Sequence, residues 1–311
     1  MKKFLRYIGY FFGSLLVLLV LLFIIYFQPD RSLDELKPLY VNNESEFMPL
    51  MGMNVHYRDQ GNPTDSVPLV LIHGTSSSLH TFEAVVKKIN PNRRVITLDM
   101  PAFGLTGPNA TNEYSFKYYS QFLDSFLTKL QIPLCDIGGN SLGGGIAWQF
   151  TTYFPNKVRK LILIDATGYP VMNVKGSIGF KIASTPVINN VMVFITPKAL
   201  VRASLKGIYQ DPSIINQEQI DRFHDMAIAK GNRKALLAIF KKGLEQEPEK
   251  IKTIQKPTLI IWGDKDGLIP VQNASLFNKD IKGSKLAILK NIGHVPMEED
   301  PTKTAALINE F

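Results

Sequence analysis

Gly139-Asn140-Ser141-Leu142-Gly143 is the stretch on which the reading of this chain turns. The five residues fit the pattern G-x-S-x-G, and their flanks suit a sharp turn from strand into helix. Leu134 to Ile137 ahead of them is a short strand-like run, and Gly144 to Phe150 behind them reads as a helix opening on small residues. Such a turn strains the backbone and lifts the serine hydroxyl clear of the sheet, while flanking glycines leave room around it. A Gly-rich turn can match five residues by chance. Its meaning therefore rests on whether the chain also supplies a base, an acid and an oxyanion hole.

Outward from this turn the sequence alternates strand and helix. Pro68 to Ile72, Arg94 to Leu98 and Lys160 to Ile164 are runs rich in apolar, β-branched residues, the kind buried on both faces of a parallel sheet. Val55 to Gly61 reads as an edge strand before them. Between the strands, Tyr118, Phe122, Phe126 and Leu130 recur every four residues within a helix expected over 114–131, a core-facing stripe. Alternation of this kind predicts an α/β fold with a mostly parallel central sheet, right-handed crossovers and helices on both faces. The pattern breaks after Asp165 and resumes at Pro257 to Trp262. The interval holds helical runs over 217–230 and 233–244 and no convincing strand, so it reads as a helical cap over the carboxyl edge of the sheet, where such sheets bind ligands.

The first thirty residues carry a different signal. Ile8 to Phe27 is an uncharged run of 20 residues, long enough at about 1.5 Å per residue to span a bilayer core. Lys2, Lys3 and Arg6 precede it, and no small-residue cleavage site follows it, which favours an uncleaved anchor over a secretory signal. Tyr7, Tyr10 and Tyr26 suit the two interfaces, and the leading positive charge places the N-terminus in the cytoplasm and the rest of the chain on the far, periplasmic or extracellular side. The expected organisation is an anchor over 1–30, a linker over 31–49, the first part of the core over 50–167, the cap over 168–256 and the rest of the core over 257–311.

The 311 residues suit one large α/β domain with an insertion, or two small domains. Cys135 is the single cysteine, so disulfide frameworks and multi-cysteine metal sites are excluded. The net charge of +8 is concentrated in the cap, where 14 Lys and Arg face 7 Asp and Glu. With apolar patches such as Val187-Ile188 and Val191 to Ile195 beside an anchor, this basicity fits anionic lipid headgroups; no motif for nucleic acid is present.

A serine at its free pKa needs a base, ordinarily a histidine held by a carboxylate. Five histidines exist. His56, His80 and His224 fall on a strand or helices away from the carboxyl edge and read as surface or packed residues, and His73 reads as shaping the loop it begins. His294 lies in Ile292-Gly293-His294-Val295-Pro296, on a loop just past the last strand over 286–289, and is the candidate base. The acid should precede it in the chain. Asp264 and Asp266 follow the strand ending at Trp262 and Asp165 ends the strand before; Asp266 is favoured because its loop has the reach to bend toward His294. The oxyanion hole needs two backbone N–H groups: Leu142 supplies one, and Thr75, with Ser76 second, supplies the other from His73-Gly74-Thr75-Ser76-Ser77-Ser78. No metal or organic cofactor is required.

Taken in order, HGTSSS at 73–78, DMPAFGLTG at 99–107, GNSLGG at 139–144, WGDKDGLIP at 262–270 and GHVPMEEDP at 293–301 resemble the α/β-hydrolase superfamily over residues 50–311. One departure is Ala102, where the family turn carries a glycine. Relatives with dehalogenase or epoxide hydrolase activity place aspartate where Ser141 stands, which disfavours those activities; cofactor-free haloperoxidase-like members share the serine. The resemblance is greatest to membrane-anchored monoacylglycerol lipases and lipase-like esterases, then to carbon-carbon hydrolases of ring-fission products. It implies an acyl-enzyme formed by Ser141, His294 and Asp266 on a small-molecule or lipid ester. A receptor or scaffold that keeps an idle serine on this fold is the alternative of another class.

Overall fold

The computed structural model describes residues 2–170, 177–186 and 188–311. Eight strands form one sheet in the order β1-β2-β4-β3-β5-β6-β7-β8. They are β1 (Ser45–Leu50), β2 (Met53–Gly61), β3 (Leu69–Ile72), β4 (Arg94–Leu98), β5 (Cys135–Asn140), β6 (Val158–Ile164), β7 (Thr258–Gly263) and β8 (Lys285–Leu289). From β4 to β8 every pairing is parallel, while β1 and β2 form an antiparallel hairpin laid against β4. Residues of β3, β5 and β7 are buried throughout, which suits the unbroken apolar run of β3 and holds in β5 although it carries Asp136 and Asn140. The helix over Phe116–Lys129 starts on a Ser115 side-chain cap and buries Phe122 and Phe126 of the expected stripe, together with Tyr119, Leu123 and Leu127.

Two expectations fail at the start of the domain. Val55 to Gly61 lies inside β2, which is flanked on both sides, and the sheet's outer strand is β1. The stretch 31–49, expected as a linker with a short helical piece, has that helix at Leu33–Tyr40, closed by a capping box of Ser32 and Glu35, but it is packed into the domain, with Leu36 fully buried, and the unexpected β1 follows. The strand was hidden because Ser45-Glu46-Phe47-Met48-Pro49-Leu50 carries a charge and a proline, which only an edge position tolerates.

The N-terminal helix, α1 (Lys2–Tyr26), is exposed along its length and is apolar and long enough to cross a membrane. Its exit is fastened to the helical stretch over 168–256, here termed the cap. Phe23 and Phe27 pack on the ring of Phe194 at centroid distances of 6.1 and 6.4 Å, and Gln28 N–H donates to the Phe194 carbonyl at 2.8 Å. Asp30 accepts from Gly231 N–H and from the buried Arg233 guanidinium, and Arg31 pairs with Asp225 at 2.7 Å. Among its described residues, 168–256 contains helices and turns but no strand; residues 171–176 and 187, the latter within the apolar patch read from the sequence, lie outside the described set.

Candidate active site

Ser141 sits between the end of β5 and the helix Leu142–Tyr153, at φ 55° and ψ −119°. That conformation is strained for a residue with a Cβ and persists because its neighbours fix it. Ser141 N–H donates to the Ile164 carbonyl at 3.0 Å, and Thr167 N–H donates back to the Ser141 carbonyl at 3.0 Å. Gly143 is required by close approach: a Cβ there would lie 2.1 Å from the Ile72 carbonyl oxygen. Leu142 is the first residue of its helix, so its N–H points from a positive helix end beside the serine.

His294 and Asp266 meet across the loops after β8 and β7. His294 Nδ1 lies 2.7 Å from Asp266 Oδ2, and both side chains are almost wholly buried. Asp266 Oδ1 accepts the N–H groups of Leu268 at 2.7 Å and Ile269 at 3.0 Å, which fixes the carboxylate plane. Asp264 faces elsewhere and accepts Asn291 N–H at 2.7 Å. Asp165, at the end of β6, stands fully buried behind Asp266, with its Oδ1 accepting Gly263 N–H at 3.0 Å. Burial first, and then the facing Asp266 carboxylate, push the Asp165 carboxyl well above its ordinary pKa.

Gly74, Thr75, Ser141 and His294 line one small cavity of about 30 Å³. Gly74 runs against the elbow, since a Cβ on it would meet Ser141 Cβ at 3.2 Å. Thr75 and Ser76 follow, the latter at φ 58°. His73 holds this loop in place, its Nδ1 donating to the Gly74 carbonyl at 2.7 Å while Nε2 accepts Met100 N–H at 3.1 Å. Burial keeps the ring's pKa below the ordinary histidine value, in line with that neutral tautomer. His56, His80 and His224 are likewise buried and bonded, packed rather than surface residues. Ala102 of the departing turn adopts φ 85°, a conformation that a glycine would take without strain.

Some supporting residues were not singled out from sequence. Asn140 Nδ2 donates to the carbonyl of His294 at 2.9 Å and so joins the elbow to the histidine loop. Glu299 accepts Gly293 N–H at 2.9 Å and Gln210 N–H at 2.8 Å, and His294 N–H donates to the Ile208 carbonyl at 2.9 Å. The cap is thereby bonded directly to the loop bearing the histidine. Both Asn140 and Glu299 lay inside quoted motifs, but their partners are distant in sequence and only the fold reveals them.

Beyond the small cavity opens an apolar chamber of about 110 Å³ under the cap, sharing Thr75, Phe180, Ile208 and Phe223 with it. Ala183, Met192 and Leu236 extend its wall, and no charged side chain lines it among the described residues. The arrangement offers a hydroxyl on a helix N-terminus, an imidazole oriented by a carboxylate, and a mainly apolar compartment beside them.

A family model described as the alpha/beta hydrolase fold matches residues 67–301, and the chain belongs to that family. The uncharacterized hydrolase YugF of Bacillus subtilis is 29% identical over 266 residues, 84% of this chain and 94% of the relative. A 2-hydroxy-6-oxo-2,4-heptadienoate hydrolase of Pseudomonas putida is 26% identical, covering 87% of this chain and 97% of its own. Lipase 1 of Psychrobacter immobilis is 26% identical over 82% of this chain and 79% of the relative. Among solved structures, a bacterial membrane phospholipase A superposes with a TM-score of 0.73 at 22% identity, covering 100% of this chain and 99% of that one. At that identity the likeness speaks for the fold.

Proposed function

We propose that this chain is a serine hydrolase of carboxylic esters carrying apolar acyl groups, held at a membrane by α1. The reading is carried by the His294–Asp266 contact of 2.7 Å opening onto the same cavity as Ser141. In this mechanism His294 accepts the Ser141 proton as the hydroxyl attacks the ester carbonyl, and Asp266 stabilises the imidazolium. The Leu142 N–H and an N–H of the Thr75–Ser76 turn hold the oxyanion. His294 then protonates the leaving alcohol, and water repeats the sequence to release the acid.

The chamber favours an acyl chain over an anionic ring-fission acid, whose carboxylate would be buried there without a cation. The anchor is supported by the exposed apolar surface of α1, and a lipid-facing cap by the exposed Ile188, Val191 and Phe194 beside its exit. Positive charge in the first turns of α1 supports a catalytic domain on the far side of the membrane; protease protection in sealed vesicles tests that orientation. The central test is Ser141→Ala in the full chain. Fluorophosphonate labelling is lost and turnover of a short p-nitrophenyl ester falls by about a millionfold. Unlabelled wild-type protein would instead identify a scaffold with an idle serine.

A further inference from the structure

The carboxyl of Asp165 has no part in the three-residue scheme above, yet it occupies the most constrained position near it. It is fully buried at the end of β6. One of its oxygens accepts Gly263 N–H at 3.0 Å; the other, Oδ2, has no donor among the described residues. What faces it is the Asp266 carboxylate, and ligand atoms of Asp165, Asp266 and His294 lie within 4.8 Å of one another.

Two carboxylates facing each other in a buried site cannot both be ionised. The donors around them decide which one keeps a proton. Asp266 receives three, from Leu268 N–H, Ile269 N–H and His294 Nδ1, so its ionised form is satisfied. Asp165 receives one, and its remaining oxygen is satisfied only by carrying a proton and donating it. The other ionisable groups near Asp165 are Glu299, also acidic, which adds to the same preference, and His294, whose Nδ1 is turned to Asp266.

We propose that Asp165 is a positioning residue: it stays protonated and donates a hydrogen bond to the Asp266 carboxylate, so that the base is oriented by a chain Asp165–Asp266–His294. The bond supplies Asp266 with a fourth donor and moderates its charge, setting how strongly it holds the imidazolium. This role rests on the proposed triad for its effect on turnover, but the protonation of Asp165 is independent of it.

The experiment compares Asp165→Ala, Asp165→Val and Asp165→Asn in the full chain, on a short p-nitrophenyl ester across pH. Alanine removes the donor; kcat falls roughly 10- to 100-fold, the worth of one hydrogen bond to a charged group. The acid limb of kcat/KM moves to higher pH, because an undamped Asp266 stabilises protonated His294 more. Asparagine keeps both the acceptor for Gly263 and a neutral donor toward Asp266, and rescues rate and acid limb to near the wild-type values. Valine, which likewise has no polar hydrogen, serves as the donor-deficient variant should alanine fail to fold. An acid limb shifted to lower pH in Asp165→Asn would mean that a negative charge had been removed, and overturns the proposal; so does a wild-type rate and profile in both donor-deficient variants. Infrared difference spectra, wild type minus Asp165→Asn, at neutral pH give a reading without turnover: a carboxylic-acid carbonyl band is expected, and its absence refutes a protonated Asp165. Should wild-type protein resist fluorophosphonate labelling, the ester-hydrolase reading fails while the infrared result still decides this one.

Discussion

Replacing Asp266 by asparagine tests the candidate site at its most specific contact. The carboxylate is bound on both sides, by two backbone N–H groups on Oδ1 and by His294 Nδ1 on Oδ2. An asparagine must therefore choose an orientation. Turning its NH2 toward Leu268 and Ile269 would strand two buried donors at about 1–3 kcal/mol each, so the amide oxygen stays there and the NH2 faces His294. The ring then presents Nδ1 as an acceptor and carries its proton on Nε2, the nitrogen needed to take the proton of Ser141. Relative to wild type, the reactive tautomer in the variant lacks the charged hydrogen bond to the carboxylate, about 1.5–3 kcal/mol, and leaves a buried N–H unpaired, about 1–3 kcal/mol. The sum of roughly 2.5–6 kcal/mol corresponds to a fall in kcat of about two to four orders of magnitude. The assay is kcat on a p-nitrophenyl ester at saturating substrate, with thermal unfolding in parallel to show an intact fold. Asp264→Asn, whose carboxylate caps Asn291 on the far side of the loop, is the control and stays within a few-fold of wild type. Activity of Asp266→Asn within tenfold of wild type, or a collapse in the Asp264 variant, would refute the assignment of the acid.

Three other outcomes are expected. Ala183→Trp fills the apolar chamber, so the ratio of kcat/KM for a dodecanoyl over an acetyl ester drops by about tenfold or more, each buried methylene being worth about 0.8 kcal/mol; an unchanged ratio places the acyl chain elsewhere. Asp30→Ala deprives the buried Arg233 guanidinium and Gly231 N–H of their partner, at about 1–3 kcal/mol; limited proteolysis in detergent then cuts the cap faster than in wild type. The raised pKa of Asp165 has a signed consequence for stability. Its contribution is complete below the ordinary carboxylate value of 3.8 and is lost as pH rises toward the folded-state value, by at most about 1.4 kcal/mol per pH unit. Asparagine carries no such loss, so Tm scans should show Asp165→Asn gaining on wild type from pH 5 to pH 8, and a constant gap would contradict the raised pKa.

The central strands and the elbow were legible in sequence because they satisfy local rules: β3 to β7 are apolar enough to be buried on both faces, and the turn needs small residues where backbone passes close, as Gly143 does against Ile72. His294 and Asp266 could be read because loops after adjacent strands meet at one sheet edge, and the structure brings the two together. What local rules could not show were contacts between residues 154 to 203 positions apart. Arg31 to Asp225, Asp30 to Arg233 and Asn140 to His294 leave no periodicity behind. For the same reason the stretch after α1 looked like a polar linker, when its charges are spent on cap partners and its one strand is an edge.

The fastening of α1 to the cap has a mechanical consequence. Gln28, Asp30 and Arg31 are all bonded to the cap within five residues of the helix's last turn, which leaves no slack between them. The cap in turn grips the histidine loop through Ile208 and Gln210. Helix tilt, cap displacement and the setting of His294 thus form one linkage with few independent joints. A change in the tilt of α1 is therefore passed through these hydrogen bonds to the helices over 168–256 and from there to the loop that carries His294.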